Sequence, residues 1–260
     1  MPVPTEPEID PLQDQEEELQ GQMSFFDHLE ELRTRLLNIL IVVAIALVVS
    51  WYYVDELFVV MRAPIDLINV PIHILKPTDN FNLPFQLALV AAIFIASPFI
   101  MREIWLFISP ALYRKERRYA FPFVISSAVL FLLGGTFGYF VAFPLAIAFL
   151  VNFGNRLGLQ QTMNAMEYFE LFLMFEVVMG VVFEIPAVIF ILARIGLVSG
   201  PFLLRNFRYA VLIASILAAV LTPTTDIPNM MMVGIPMILL YTIGIGVAYI
   251  FGKKRREESD

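Results

Sequence analysis

Residues 119–155 read YAFPFVISSAVLFLLGGTFGYFVAFPLAIAFLVNFGN, a run that contains no Asp, Glu, Lys, Arg or His. Residues 209–225 and 227–252 lack charged side chains in the same way. A helix needs about 20 mostly apolar residues to cross a bilayer, so these runs predict membrane spans. The whole chain agrees, because 59% of its residues are hydrophobic, only 16% are charged and its mean hydropathy is +0.77. The sequence therefore predicts an all-α membrane protein.

The apolar runs predict six transmembrane helices. They lie at about residues 36–54, 84–101, 119–144, 169–193, 209–221 and 229–251. As a helix, residues 209–221 cover only about 20 Å of a hydrocarbon core that is about 30 Å thick. The polar hairpin from Thr222 to Pro228 cannot lie in lipid without hydrogen-bond partners. We therefore expect the fifth and sixth spans to be short, with a thinned bilayer or a recessed hairpin around them.

Lysine and arginine are divided very unevenly between the loops. Fourteen of the 17 lie before the first span, between the second and third, between the fourth and fifth, or after the sixth. The other three are Arg62, Lys76 and Arg156. Cytoplasmic loops of membrane proteins carry an excess of Lys and Arg. The richer side is therefore predicted to be the cytoplasm, which places both termini there.

The net charge of −7 originates at one end of the chain. Residues 1–22 contain seven acidic side chains and no basic one, and their Glu- and Pro-rich composition predicts a disordered tail. Residues 23–252 form the predicted transmembrane domain. Residues 253–260 form a charged cytoplasmic tail.

Glu176 and Glu184 lie well inside the fourth predicted span. Glu184 precedes Arg194 by ten residues, which places it about 15 Å from the cytoplasmic end, near the middle of the bilayer. A carboxylate at that depth is costly and is a functional candidate, and a protonated or hydrogen-bonded structural glutamate is the alternative. Pro186 is expected to kink the helix. Glu176 lies nearer the outer interface, where we expect it to face a wet external cavity.

Acidic residues also occur inside strongly basic cytoplasmic segments. Glu31 lies on the polar side of an amphipathic lead-in to the first span, HLEELRTRL at residues 28–36. Glu116 is the lone acid of RKERR at residues 114–118. Charge alone favours ordinary roles, with Glu31 paired to Arg35 one helical turn away and Glu116 solvated in a loop.

Little in the sequence supports catalysis. The chain has no cysteine, and its two histidines, His28 and His73, fall outside the predicted spans. The sequence thus offers neither a histidine cluster for a metal nor an intramembrane Ser–His pair. A glycine-rich phosphate-binding loop is also missing. We expect no enzymatic activity, no cofactor, no metal and no nucleic-acid partner.

Five separated motifs follow one another along the chain. They are His28-Leu29-x-Glu31-Leu32-Arg33-x-Arg35-Leu36, Ala63-Pro64, Trp105-x-Phe107-x-x-Pro110-Ala111-Leu112-Tyr113-x-x-Glu116-Arg117-Arg118, Phe183-Glu184-x-Pro186, and Thr222-Pro223 followed by Asp226 and Ile235-Pro236. Each is weak alone. In this order and with the predicted topology they resemble the TatC family, the polytopic core subunit of the twin-arginine protein translocase. The resemblance covers about Ser24 to Gly252.

The resemblance implies a recognition site for signal peptides that bear two consecutive arginines. In TatC proteins the N-terminal segment and the first cytoplasmic loop form this site, and the matching acids here are Glu31 and Glu116. The other residues that the resemblance assigns to signal-peptide binding are Arg33, Phe107, Leu112, Arg117 and Arg118. A guanidinium is permanently charged, and its planar fork matches a carboxylate better than lysine does. The resemblance therefore favours recognition over the ordinary roles of both acids.

The resemblance also implies a shape and a set of partners. Six helices would form a curved, concave wall in the bacterial inner membrane, and the transmembrane proton gradient would drive export. Glu184 and Asp226 are expected to contact the signal peptide or partner helices. Structural roles are expected for Pro64, Pro110, Pro186 and Pro236. The expected partners are single-span TatA-like and TatB-like subunits, with several copies per complex.

Two other protein classes are alternatives to the receptor and scaffold function that the resemblance implies. A small proton-coupled transporter could use Glu184 as its relay. Such transporters usually show repeated halves and several midplane polar groups, whereas this sequence shows neither a repeat nor a second buried charge partner. A purely structural membrane subunit would leave the motifs around Glu31 and Glu116 unexplained. The predicted function is therefore a non-enzymatic receptor for the export of folded proteins.

Overall fold

The computed structural model describes residues 11–66, 71–108, 120–156, 162–222 and 226–252. Within these ranges the helices are α1 (Pro11–Tyr52), α2 (Val54–Asp66), α3 (Asp79–Ile108), α4 (Ala120–Phe137), α5 (Phe143–Arg156), α6 (Ala165–Phe183), α7 (Ile185–Arg194), α8 (Gly200–Arg205), α9 (Phe207–Leu221) and α10 (Ile227–Phe251). A π-helical turn, Gly138–Ala142, joins α4 to α5. Two short strands, β1 (Ile72–His73) and β2 (Met163–Asn164), pair in parallel. The described chain is therefore almost entirely helical, as predicted.

Within the described residues, five helical segments are long and apolar enough to cross a membrane. They are His28–Tyr52, Asp79–Ile108, Pro122–Arg156, Ala165–Arg194 and Ile227–Phe251. The predicted fifth span corresponds to α9, which has 15 residues and so measures about 22 Å. The number of spans thus depends on whether the short helix α9 crosses, and the count of six stays a prediction.

The expectation that the sixth span is short is wrong. Helix α10 has 25 residues and measures about 37 Å, which exceeds the hydrocarbon thickness. Its first turn is stabilised by Asp226, whose carboxylate accepts the backbone N–H of Asn229 at 2.8 Å. The cap lets the helix begin inside the polar hairpin rather than after it. Of the two helices that flank the hairpin, only α9 is shorter than the bilayer core.

The third predicted span continues beyond its expected end at residue 144. The π turn carries the helix on to Arg156, so that Pro122–Arg156 forms a 35-residue segment. Phe143 follows the turn and is fully buried. Its ring packs edge to face against Tyr168 and Phe172 of α6, with centroid separations of 5.2 and 4.9 Å. This aromatic contact ties α5 to the centre of the fold.

The fourth predicted span is interrupted at Glu184, which ends α6 and begins α7. The backbone N–H of Glu184 donates to the carbonyl oxygen of Val181, three residues back, at 3.1 Å. Pro186 has no N–H to donate, so the regular ladder cannot continue through it. The interruption leaves Glu184 at a bend within the apolar segment.

Helix α1 begins at Pro11, inside the acidic segment for which the sequence predicts disorder. Residues 11–22 are therefore helical in the structure. Glutamate, glutamine and leucine dominate this stretch, and all three have high helix propensity. Composition indicated too little apolar surface for a folded domain, but a helix can extend from an existing one without that burial, because nucleation is its costly step.

Glycine allows α4 and α6 to pack backbone to backbone. A Cβ atom added at Gly134 would press on the carbonyl oxygen of Met179 and lie 2.8 Å from the Cα of Gly180. Backbone atoms on a packed helix cannot move aside as a side chain can. Gly246 on α10 is the opposite case, because a Cβ there meets nothing within 4 Å.

Substitution of Gly134 and Gly246 by alanine should distinguish the effect of close helix packing on stability from the effect of helix propensity. Gly134→Ala forces α4 away from α6, and overpacking of this kind costs about 1 to 3 kcal/mol. Gly246→Ala adds a methyl group to an open helix surface and should be neutral or slightly stabilising. Thermal unfolding of the purified protein in detergent measures both. Equal midpoints for Gly134→Ala and the parent would contradict the close approach.

Candidate functional site

A charged cluster joins the start of the first span to the end of the second. Arg35 lies one turn after Glu31 on α1, and its Nη2 donates to Glu31 Oε1 at 3.1 Å. Its Nη1 donates to Oε2 of Glu103 on α3, also at 3.1 Å. Arg102 completes the cluster by donating from Nη1 to Glu103 Oε1 at 2.6 Å. One guanidinium, that of Arg35, thus bridges carboxylates from two helices.

The two carboxylates that Arg35 bridges differ in burial. The side chain of Glu103 is 7% exposed, whereas that of Glu31 is 28% exposed. A buried carboxylate has little water to replace a lost partner, so Glu103 depends strongly on its two arginines. The partly exposed pair between Arg35 and Glu31 is screened and contributes less. Glu103 therefore anchors Arg35, while Glu31 stays accessible from outside the protein.

Sequence reasoning missed Glu103. It lies 68 positions from Arg35, so no local pattern links the two. A signal was nevertheless present, because Glu103 is the lone acidic residue between Asp79 and Glu116 and follows a long apolar run. An acid in that position requires a cation, and Arg35 is a basic residue close to the membrane on the neighbouring span.

Phe107 lies at the same end of α3 as Glu103 and contacts the N-terminal part of α1. Its ring stacks on His28 with a centroid separation of 4.5 Å and an interplanar angle of 17°. His28 is three residues before Glu31, so the structure brings the predicted site residues Glu31 and Phe107 to one place. Arg33 lies exposed on the same segment.

The remaining residues assigned to the predicted recognition site, Leu112, Glu116, Arg117 and Arg118, lie outside the described residues. Pro110, for which a structural role is predicted, lies outside them as well. The described chain stops at Ile108, directly after Phe107, and resumes at Ala120. Their roles stay predictions from the sequence.

Glu184 occupies the bend between α6 and α7. The hydroxyl of Ser127 on α4 donates to Glu184 Oε2 in a short hydrogen bond. Glu184 Oε1 is buried and has no hydrogen-bond partner among the described residues. Pro186, the residue expected to kink this span, is buried beside it. One oxygen of the Glu184 carboxylate is therefore hydrogen-bonded within the described chain, and the other is not.

A family model described as Sec-independent protein translocase protein (TatC) matches residues 27–236. The match includes the Arg35 cluster, the Phe107 contact and the Glu184 bend. The chain belongs to the TatC family. It is thus a component of a Sec-independent protein translocase.

Full-length relatives and solved structures agree with this family. The TatC protein of Koribacter versatilis is 41% identical over 99% of this chain and 96% of its own length. The TatC protein of Deinococcus radiodurans is 35% identical over 90% of this chain and 89% of its own length. A crystal structure described as the twin-arginine translocase receptor TatC, in DDM, superposes with a TM-score of 0.77 at 32% identity. It covers 85% of this chain and 99% of the solved chain.

Asp226, which was predicted to contact a partner, and two of the prolines predicted to be structural lie within or next to helices. Asp226 caps α10, and its second carboxylate oxygen accepts the side-chain amide of Asn229 at 3.0 Å. Its carboxylate is thus already engaged in local structure. Pro64 is buried within α2, and Pro236 lies within α10.

Glu176 was expected to face a wet external cavity, and this expectation is wrong. Its side chain is 7% exposed and is buried where α6 meets α4. Glycines create the space, since a Cβ at Gly135 or Gly138 would lie 3.2 Å from a carboxylate oxygen of Glu176. The sequence also predicted no second buried charge partner for Glu184, and the burial of Glu176 in the same segment shows that a second buried acid is present.

Proposed function

We propose that this chain is the receptor and scaffold subunit of a twin-arginine translocase. It binds the signal peptides of folded precursor proteins at its cytoplasmic face and has no enzymatic activity of its own. It lies in the bacterial inner membrane with six spans, a concave wall and both termini in the cytoplasm. The transmembrane proton gradient drives export. Family membership favours this function over a small proton-coupled transporter built on Glu184.

The observation that carries the proposal is that Glu31 already accepts a guanidinium. Arg35 Nη2 lies 3.1 Å from Glu31 Oε1, at a carboxylate that is 28% exposed. A signal-peptide arginine presents the same chemical group and the same fork geometry. The site therefore has the chemistry for arginine recognition, and Glu116 on the adjoining loop supplies the second acid.

Arg35 pairs with Glu31 when no signal peptide is bound. An incoming arginine of the signal peptide must displace Arg35 from Glu31. The displaced guanidinium then pairs with Glu103 alone, because Glu103 already accepts a hydrogen bond from its other terminal nitrogen. The exchange costs little, since a partly exposed ion pair contributes only about 0.2 to 1 kcal/mol. Arg35 thereby excludes weak ligands from Glu31 and yields to a guanidinium that engages Glu31 and Glu116 together.

Single-span TatA-like and TatB-like subunits are the proposed partners, and several copies of the chain act together. Two crystal structures that resemble this chain carry the description of a twin-arginine translocase receptor, which supports the signal-peptide role. Glu184 offers a half-satisfied carboxylate inside the membrane as a further contact for the signal peptide or a partner helix.

Loss of the two acids should weaken recognition of the signal peptide. A charge-assisted hydrogen bond contributes about 1.5 to 3 kcal/mol, so Glu31→Ala with Glu116→Ala should reduce affinity by roughly ten-fold to over a hundred-fold. Titration of a fluorescent twin-arginine peptide against the purified complex measures this. Glu30→Ala is the matched control, because Glu30 is an exposed neighbour outside the Arg35 cluster.

The double variant should also lose discrimination between Arg-Arg and Lys-Lys peptides, while Glu30→Ala retains it. Parental affinity and parental preference in the double variant would show that these carboxylates are not the recognition site.

Variants of Arg35 and Glu103 should shift the same affinity in opposite directions. Arg35→Gln vacates Glu31 and leaves Glu103 with Arg102, so twin-arginine peptide should bind up to about five-fold more tightly. Glu103→Gln weakens the anchor that receives Arg35, so binding should weaken. The same peptide titration measures both. A loss of affinity in Arg35→Gln as large as that of Glu31→Ala would make Arg35 part of the receptor rather than a competitor.

A further inference from the structure

Glu176 lacks hydrogen bonds that a carboxyl group inside a membrane requires. The residue is 7% exposed, and its Oε1 has no hydrogen-bond partner among the described residues. Its Oε2 lies beside Gly135, which lines a groove together with Glu176. Glu176 lies seven residues after residue 169, the predicted start of the fourth span, and so about 10 Å along the helix axis from that point. That distance places Glu176 inside a hydrocarbon core about 30 Å thick, on the outer side of its middle, where water does not supply the missing bond.

The two hydroxyl groups that line the same groove as Glu176 do not donate to it. Tyr139 donates to the backbone carbonyl of Val60 at 2.7 Å. Thr136 donates to the backbone carbonyl of Leu132 at 2.8 Å. Both side chains line the groove that Glu176 also lines, yet their hydrogens are used elsewhere. Neither hydroxyl group therefore supplies the hydrogen bond that the Glu176 carboxyl group lacks.

Glu176 lines an open groove between the helices. The groove encloses about 320 Å³ between α3, α4 and α6, with Phe94, Gly135 and Thr136 among its walls. Its rim is apolar, with Phe140 69% exposed and Leu132 43% exposed. A position of this depth with an apolar rim faces lipid or another transmembrane helix.

We infer that this groove docks a transmembrane helix of a second polypeptide through a glutamine or asparagine side chain that hydrogen-bonds Glu176. An amide group fits because it carries both a donor and an acceptor, so it matches the carboxyl group whether or not that group is protonated. Lipid acyl chains offer no donor at this depth. Polar side chains that hydrogen-bond across helices are an established means of association in membranes.

The biological use of this groove rests on the scaffold role proposed above. Its binding chemistry can nevertheless be measured without a native partner. It is separate from the Arg35 cluster, so signal-peptide recognition and helix docking can fail independently. Glu184 already accepts a hydrogen bond from Ser127, which makes Glu176 the less satisfied of the two carboxyl groups in this span.

The experiment uses the full chain in phosphatidylcholine vesicles with two synthetic leucine–alanine transmembrane peptides. One peptide carries a central glutamine, the other has leucine at that place, and both carry one cysteine a helical turn away. The chain has no native cysteine, so Phe140→Cys introduces a single thiol at the groove rim. Disulfide yield is measured against the mole fraction of peptide. Ile216→Cys is the control position, because Ile216 is 54% exposed on α9, away from the groove.

The glutamine peptide should cross-link to Phe140→Cys at a mole fraction roughly 3- to 20-fold lower than its leucine twin, the range expected for one interhelical hydrogen bond. Glu176→Leu should make the two peptides equal, and Glu176→Gln should retain the preference. Thr136→Leu, which fills the groove but leaves Glu176 in place, should also abolish it. Ile216→Cys should show no preference for either peptide.

Equal cross-linking of the two peptides to the parent chain would overturn the inference, and so would an unchanged preference in Glu176→Leu. In either case Glu176 is a structural side chain and the groove is filled by lipid. Neither outcome would bear on twin-arginine binding at Glu31.

Discussion

Lipid offers no hydrogen-bond partners, and this constraint determines most of the structure. Backbone groups inside the bilayer must be satisfied within the chain, which leaves helices as the form that a single chain of this composition can take. Charged side chains face the same requirement at a higher cost. The places where the chain keeps an acid or breaks a helix therefore mark the positions that need a functional explanation.

Three acids of the helical segments, Glu103, Glu184 and Glu176, meet the constraint to different degrees. Glu103 is bonded by both Arg35 and Arg102. Glu184 accepts one hydrogen bond, from Ser127, and keeps one oxygen without a partner. Glu176 is held against Gly135 and Gly138 with no donor among the described residues. Glu103 therefore has a structural role, since it holds Arg35 beside Glu31, whereas Glu184 and Glu176 each keep an oxygen without a partner among the described residues.

Hydropathy and charge predicted the helical membrane class and the break beside Pro186, because these depend on local composition. The pairing of Arg35 with Glu103 could not be predicted, since 68 positions separate them and the contact depends on how α1 packs against α3. The burial of Glu176 escaped prediction because it depends on glycines of another helix. The length of α10 was underestimated because its polar first turn is stabilised by a cap. The motifs brought Glu31 and Phe107 into one predicted site, and Phe107 stacks on His28, three residues before Glu31.

The central claim is that arginine-bearing signal peptides bind beside Glu31, and photocrosslinking from position 107 tests it most directly. Phe107 stacks on His28, three residues before Glu31, so benzoylphenylalanine can replace it with another aromatic ring. We expect an adduct with a precursor that carries Arg-Arg and a much weaker one with Lys-Lys. We expect no adduct from position 153, because Phe153 is 55% exposed on α5, away from Glu31. No adduct from position 107, or equal adducts with both precursors, would contradict the assignment.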